Sequence, residues 1–224
     1  ALVVGAGGAL GSALLEQLLA ARRFERVGAV VEQPMQAALL GFVPVASAGL
    51  AAFAADTALV VFDRQRNANG RELVFARPEP SDLPALARAL HDAGVRRLLV
   101  VVPHTASLLP QALQQGLASL DEAAVAALGF EQVVFMRMAQ DERAAEGLDV
   151  PRRLARWMLS QLRWMIPQRE QPVRAQTVGQ VAAALAHQLH DAPPATRVLP
   201  AALLWQAAQR GDVIAFARSW QREG

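Results

Sequence analysis

The chain has 224 residues, of which 53% are hydrophobic, 22 are basic and 20 are acidic, and its formal net charge at pH 7 is +2. This near-neutral charge argues against a dedicated nucleic-acid surface, and no apolar run is long enough for a membrane span. The absence of cysteine excludes disulfides and thiolate chemistry, and with only four histidines we expect no metal site. These features predict a cytoplasmic protein without a signal peptide.

Two residue types that carry much enzyme chemistry are missing. All basic residues other than histidine are arginine, and the chain contains neither lysine nor tyrosine. Schiff-base chemistry by lysine and general-acid catalysis by tyrosine are therefore excluded. The isoelectric point of about 10.7 has the same origin, because no side chain titrates between histidine and arginine.

Strand and helix patterns alternate along the first 140 residues. In chain order they predict a strand over 1–5, a helix over 10–21, strands over 26–31, 42–45 and 57–62, a helix over 82–93, a strand over 97–102, a helix over 108–128 and a strand over 132–136. The run over 97–102 shows no polar alternation, which is typical of a strand buried on both faces of a parallel sheet.

The regular alternation of strand and helix patterns ends after residue 141. A polar stretch is followed by predicted helices over 151–166 and 177–190, a short strand over 197–199 and a helical tail. We therefore predict an α/β fold of one domain, 1–224, built as a doubly wound parallel Rossmann-type sheet with a small C-terminal helical lobe.

The opening of the chain predicts a nucleotide site. A short apolar strand runs into a glycine-rich turn, and an apolar helical pattern follows at once. Such glycines permit a tight turn and a close approach of the backbone to a pyrophosphate, while the helix N-terminus offers unpaired N–H groups. The predicted phosphate contacts are Gly5, Gly7, Gly8, Leu10 and Gly11. The alternative is a glycine-rich turn that binds nothing. In the first interpretation 1–140 forms the dinucleotide-binding core and 141–224 the lobe over its pocket.

Two acidic residues follow predicted strands near this turn. Glu32 comes about 20 residues after the last glycine, where it would accept hydrogen bonds from a ribose and repel a 2′-phosphate, favouring NAD over NADP. An ordinary solvated glutamate is the alternative. Asp63 follows the fourth predicted strand, with Arg64 and Arg66 close in sequence.

His104 is the one histidine predicted at the ligand-binding edge of the sheet. A general base oriented by Asp63, with Thr105 and Ser107 close in sequence, is one interpretation. A solvent-facing loop histidine is the other, and we favour it because the sequence shows no complete catalytic triad.

The predicted helix over 151–166 is amphipathic. Arg152, Arg156 and Arg163 share one face, and leucine, methionine and tryptophan side chains fill the opposite one. The helix could be a lid over the ligand pocket, a partner-binding helix or an interfacial membrane helix, or it could pack on its own domain with a solvated arginine stripe.

Several segments resemble a known family. The glycine-rich opening, the residues 82–84, the block 93–101 and the residues 127–131 are similar to atypical short-chain dehydrogenases/reductases, a family of NAD(P)-binding Rossmann-fold proteins. Within it they resemble small bacterial proteins of the Tat-interacting oxidoreductase-like, NAD-dependent epimerase-like branch. The resemblance covers nearly the whole chain and implies the fold, a dinucleotide cofactor and a pocket beneath the helix 151–166.

The resemblance also implies a degenerate active site. The positions of the family's catalytic serine, tyrosine and lysine fall at Val102, Gln114 and Ala118, none of which can do the chemistry of the residue it replaces. Glu32 also reverses the charge of the family's NADP-binding arginine. The resemblance further implies that Asp63 replaces a small residue or glycine beside the cofactor, where a carboxylate near the pyrophosphate is unfavourable unless Arg64 or Arg66 compensates its charge. His104 remains the weak catalytic candidate.

We therefore expect an NAD-binding protein without classical dehydrogenase catalysis that acts as a sensor, regulator or assembly partner. One alternative is an NAD(P)-dependent oxidoreductase or epimerase in which His104, Ser107 or Gln114 polarises the substrate. The other is an interaction module that binds no nucleotide. A protein partner at 151–166 and a homodimer are further expectations.

Overall fold

The computed structural model describes residues 1–35, 40–63, 74–104, 120–139 and 173–222. The strands are β1 (Leu2–Val4), β2 (Val27–Val31), β3 (Phe42–Ala46), β4 (Thr57–Val61), β5 (Arg97–His104), β6 (Gln132–Ala139) and β7 (Ala195–Leu199). The helices of these residues are α1 (Ala9–Ala21), α2 (Leu50–Phe53), α3 (Leu83–Asp92), α4 (Leu120–Ala126), α5 (Ala175–Gln188), α6 (Ala201–Arg210) and α7 (Val213–Arg222).

The seven strands form one sheet in the order β3-β2-β1-β4-β5-β6-β7, and every neighbouring pair is parallel. The strand order reverses between β1 and β4, so the crevice at their carboxyl ends is the topological switch point at which such sheets bind ligands. The prediction of a doubly wound parallel Rossmann-type sheet is therefore confirmed.

Helices cover the sheet on both faces because its central strands are apolar on both sides. On one face α1, α5, α6 and α7 pack over a core that includes Leu14, Leu18 and Val181. On the other face α2, α3 and α4 enclose a core that includes Leu90, Val100 and Phe135. All six of these side chains are completely or almost completely buried. The sheet therefore has fixed support on both faces, which holds the carboxyl ends of its strands in place.

The bounds of several elements differ from the sequence prediction. Strands β5 and β6 run further than expected, to His104 and Ala139, because they pair in register over eight residues. Helix α5 begins at Ala175, two residues before the predicted start at 177, and Arg174 takes the extended N-cap conformation.

The described part of the C-terminal third is joined directly to the sheet. Strand β7 pairs with β6, and α5 packs on α1. The predicted helix 151–166 and most of the predicted helix 108–128 lie outside the described residues. The division of the chain into 1–140 and 141–224 stays a prediction.

Candidate functional site

The glycine turn lies at the switch point, between the end of β1 and the start of α1. Gly5 has a φ of +88°, a left-handed conformation that favours glycine, and it turns the chain away from the sheet. Gly8 is the N-cap of α1 and has extended backbone angles, with φ −88° and ψ 174°. The first N–H groups of α1 therefore face the crevice between β1 and β4.

Three glycines, two in this turn and one in the first turn of α1, leave no room for a side chain. A Cβ on Gly5 would overlap the carbonyl oxygen of Val61 in β4, and one on Gly11 would overlap the carbonyl oxygen of Gly5. A Cβ on Gly8 would overlap the carboxylate of Asp63. The sequence predicts that these glycines allow a pyrophosphate to approach the backbone closely. In the structure, other parts of the chain make these close approaches.

Asp63 binds the N-terminus of α1. Its Oδ2 atom accepts a hydrogen bond of 2.7 Å from the backbone N–H of Leu10, the second residue of the helix. That N–H is the one that an N-cap side chain usually satisfies, but Gly8 has no side chain to do so. A half-buried carboxylate from the end of β4 therefore caps α1 across 53 residues of sequence.

Residues 74–76, here called the strap, lie beside the end of β2. Phe75 forms an antiparallel bridge with Val31, the N–H of Glu32 donates to the carbonyl of residue 74 (2.8 Å), and the N–H of residue 76 donates to the carbonyl of Val30 (2.9 Å). The N–H of Gly28 donates to the carbonyl of Ala1, directly before β1, and alternate residues of a strand point their polar groups to the same side. The strap therefore pairs with the edge of β2 that faces β1, beyond the point where β1 ends.

The crevice between these parts is small. The cavity that Gly5, Gly8, Asp63 and residues 76–78 line has a volume of about 40 Å³. Pockets for small-molecule ligands are typically about 300 to 1,000 Å³. The cavity at the glycine turn itself is therefore smaller than a whole ligand.

Glu32 is at the predicted position, directly after β2, and it is exposed. Its carboxylate lies at the edge of the sheet to which the ribose of a dinucleotide binds in this fold, while its backbone N–H donates to the carbonyl of residue 74 in the strap. A 2′-phosphate placed near this group would meet a like charge at an exposed site, where the repulsion is modest.

The carboxyl ends of β5 and β6 carry a buried ion pair that the sequence did not reveal. Arg137 of β6 donates to a carboxylate oxygen of Glu122 in α4 at 3.0 Å, and the two side chains are 3% and 6% exposed. Arg137 is the register partner of half-buried Val102, the position that the sequence resemblance assigns to a catalytic serine. Its guanidinium ties α4 to the sheet beside that position.

The other predicted catalytic positions are described only in part. His104 is the last residue of β5, and its side chain lies outside the described residues, as do Gln114, Ala118 and the helix 151–166. Their roles stay predictions.

A larger cavity, of about 470 Å³, lies between α1, α5 and α7, towards the end of α1 remote from the glycine turn. His187 lines it and stacks on Phe24 with ring centroids 4.6 Å apart. Burial, followed by the positive charges of Arg23 and the N-terminal amino group, lowers the pKa of His187 to about 4. Its Nε2 atom is buried without a hydrogen-bond partner among the described residues.

Within 1–35, 40–63, 74–104, 120–139 and 173–222, no group of three metal-binding side chains occurs. No helix in these ranges is long and apolar enough to cross a membrane.

Sequence reasoning missed the capping role of Asp63 and the strap, although both left a signal. A helix whose N-cap is glycine needs an acceptor from elsewhere, and Asp63 follows the strand that neighbours β1. The run Leu73-Val74-Phe75-Ala76 is the apolar part of a loop otherwise rich in polar residues and proline. Arg137 stands inside an apolar strand, which is a signal for a buried partner.

Comparisons with known proteins found no matching family model and no matching curated protein. Similar solved structures include an exported protein from Burkholderia pseudomallei, described as putative (18% identity, 88% of this chain and 97% of that chain, TM-score 0.46). MoeE5 in complex with UDP-glucose and NAD is 17% identical over 94% of this chain and 81% of its own, with a TM-score of 0.48. The Bordetella bronchiseptica enzyme WbmG in complex with NAD and UDP is 16% identical over 99% and 93%, with a TM-score of 0.41. Because these similarities are low, the assignment of the fold rests on the strand order of this chain.

Proposed function

We infer that the chain is a dinucleotide-binding protein that takes NAD in preference to NADP at the glycine turn and lacks classical dehydrogenase catalysis. One observation carries the proposal: the N–H of Leu10, at the start of α1, already holds an anionic oxygen at 2.7 Å. A helix N-terminus that holds a carboxylate has the donors and the dipole that a phosphate needs.

The surroundings of that N–H support a nucleotide over a simple anion. The turn is at the switch point between β1 and β4, and exposed Glu32 is at the end of the neighbouring strand. A pyrophosphate at α1 and a ribose at Glu32 are the two contacts by which a dinucleotide spans this crevice. NAD is also the cofactor bound in the MoeE5 and WbmG structures.

The absence of catalysis is proposed from the chemistry of the side chains. No tyrosine or lysine exists anywhere in the chain, and Val102 offers only hydrocarbon at the position of the family's serine. In classical hydride transfer a tyrosine is the general acid and a lysine lowers the pKa of that tyrosine, and this chain has neither residue. The protein would then report or respond to bound NAD as a sensor, regulator or assembly partner.

An interaction module without nucleotide binding is the second candidate. The small cavity of about 40 Å³ at the glycine turn and the strap beside β2 favour it, because the chain's own residues make contacts at both the phosphate and the ribose positions. In that case the contact between Asp63 and Leu10 would serve stability alone.

Isothermal titration separates the two candidates. NAD⁺, NADH, NADP⁺ and NADPH are titrated into the wild-type protein and into Asp63→Asn, and bound NADH is then tested for oxidation by a panel of carbonyl compounds. The proposal predicts binding with NAD(H) preferred and no hydride transfer above background. The absence of binding at millimolar nucleotide in both proteins would overturn the nucleotide proposal and leave the interaction module as the remaining candidate, and rapid NADH oxidation would overturn the non-catalytic assignment.

A further inference from the structure

We propose that Asp63 is an intramolecular competitor of the nucleotide phosphates, so that the unliganded protein is held closed by its own carboxylate and NAD binds only when that carboxylate leaves α1. This inference rests on the proposed function and goes beyond it by naming the group that controls the site.

The first observation behind this proposal is the position of the Asp63 carboxylate. Its Oδ2 atom accepts the N–H of Leu10 at 2.7 Å, and its Cγ and Cβ atoms would lie 2.7 and 2.8 Å from a Cβ on Gly8. The side chain therefore lies against the glycine whose bare backbone a phosphate would approach. A phosphate oxygen and Asp63 Oδ2 cannot both take the Leu10 N–H at hydrogen-bond distance without like-charge repulsion.

The strap is a second observation, independent of the position of Asp63. Its two backbone hydrogen bonds, at 2.8 and 2.9 Å, use the N–H of Glu32 and the carbonyl of Val30 on the edge of β2 that faces β1. Pro78, just after the strap, would lie 3.5 Å from a Cβ on Gly5. The strap thus pairs with the strand end at which an adenosine would bind, while Asp63 lies at the phosphate side of the crevice.

These contacts together define a closed state with a measurable consequence. A ligand that binds only the open state shows an apparent affinity reduced by the fraction of open molecules. Removal of the carboxylate favours the open state and removes a like charge, so that the affinity for NAD⁺ should rise. A tenfold rise would correspond to about 1.4 kcal/mol.

The experiment compares three variants of the full chain with the wild type. Asp63→Ala removes the carboxylate, Asp63→Asn keeps its shape and a hydrogen-bond acceptor but not its charge, and Asp212→Asn is the matched control. Asp212 caps α7 in the same way, by accepting the N–H of Ala215 at 2.9 Å, and it lies on a different helix. Each protein is titrated with NAD⁺ and, separately, with inorganic pyrophosphate, after circular dichroism has established that it is folded.

The proposal predicts at least about tenfold tighter NAD⁺ and pyrophosphate binding by Asp63→Ala, a smaller gain by Asp63→Asn and no change by Asp212→Asn. If the wild type and both Asp63 variants bind NAD⁺ with equal affinity, the competition is overturned while the nucleotide function stands. If Asp63→Ala gains affinity for pyrophosphate but no variant binds NAD⁺, the proposed function fails and the competition for the phosphate position stands. If neither probe binds any variant, both fail. Asp63→Asn decides the matter if Asp63→Ala does not fold.

Discussion

Substitution of Gly8 by alanine tests the packing of Asp63 against the glycine turn. The backbone of Gly8 is extended, with φ −88°, so that an alanine meets no backbone strain there. What the new methyl group meets is Asp63: it would overlap Oδ2 and lie 2.7 Å from Cγ and 2.8 Å from Cβ. Ordinary contacts between carbon atoms are about 3.5 to 4.0 Å, so the Asp63 side chain must move by about 1 Å.

That movement has two costs. The hydrogen bond to the Leu10 N–H is 2.7 Å long and does not survive such a shift, and the loss of a helix cap costs about 0.5 to 2 kcal/mol. Overpacking in a tight environment adds about 1 to 3 kcal/mol. We expect Gly8→Ala to lower the free energy of unfolding by about 2 kcal/mol in the wild type. In an Asp63→Gly background, which removes all three contact atoms, the loss should shrink by at least about 1 kcal/mol.

Urea unfolding of the four proteins of this cycle, followed by circular dichroism, measures the coupling. Gly49→Ala is the matched control, since the nearest atom to a Cβ there is 4.0 Å away, and its effect should stay within about 0.5 kcal/mol. Equal losses for Gly8→Ala in both backgrounds, within about 0.5 kcal/mol, would refute the assignment of Asp63 to this position.

Three further predictions concern other parts of the fold. In urea unfolding, Arg137→Met should lower the free energy of unfolding by about 3 kcal/mol or more, because the buried carboxylate of Glu122 loses the guanidinium of Arg137. Adding Glu122→Leu should recover most of that loss, and no recovery would contradict the pairing. Because burial, with a neighbouring arginine and the N-terminal amino group, lowers the pKa of His187 to about 4, the unfolded chain binds a proton first as the pH falls through about 6.5. The free energy of unfolding should therefore decrease as the pH falls from about 6.5 to 4. His187→Gln should reduce the difference in the free energy of unfolding between pH 7 and pH 5, measured by urea unfolding. An unchanged difference would contradict the role of His187. Glu32→Arg should raise the affinity for NADP⁺ relative to NAD⁺ about tenfold in calorimetric titrations, while exposed Glu25→Arg, with the same change of charge, should leave the ratio unaltered.

The fold was predictable because its signals are local. The unbroken apolar run of β5 indicates a strand buried on both faces, and Gly94 and Gly129, with φ of +94° and +85°, stand at the turns where the sequence predicts that helices end. Together with the turn at Gly5 they set the alternation of strands and helices, and that alternation implies a parallel sheet.

The candidate site was predictable only in its location. The sequence placed the glycine turn, Glu32 and Asp63 at one edge of the sheet, because the carboxyl ends of parallel strands meet there. The bond between Asp63 and Leu10 depends on the adjacency of β1 and β4, and the strap depends on pairing between residues more than 40 positions apart. Such contacts are set by the tertiary fold, and no local spacing rule reports them.

The NMR signal of the Leu10 amide during titration with NAD⁺ tests the central claim most directly. A ¹⁵N-labelled sample of the wild type and one of Asp63→Asn are titrated in parallel, with the amide of Gly49 as an internal reference away from the turn. We predict a saturable shift of the Leu10 signal in both proteins, reached at lower NAD⁺ concentration in Asp63→Asn, with the Gly49 signal unmoved. A Leu10 signal that stays in place while NAD⁺ binds, or that fails to move in either protein up to millimolar NAD⁺, would contradict the assignment of this N–H to the phosphates.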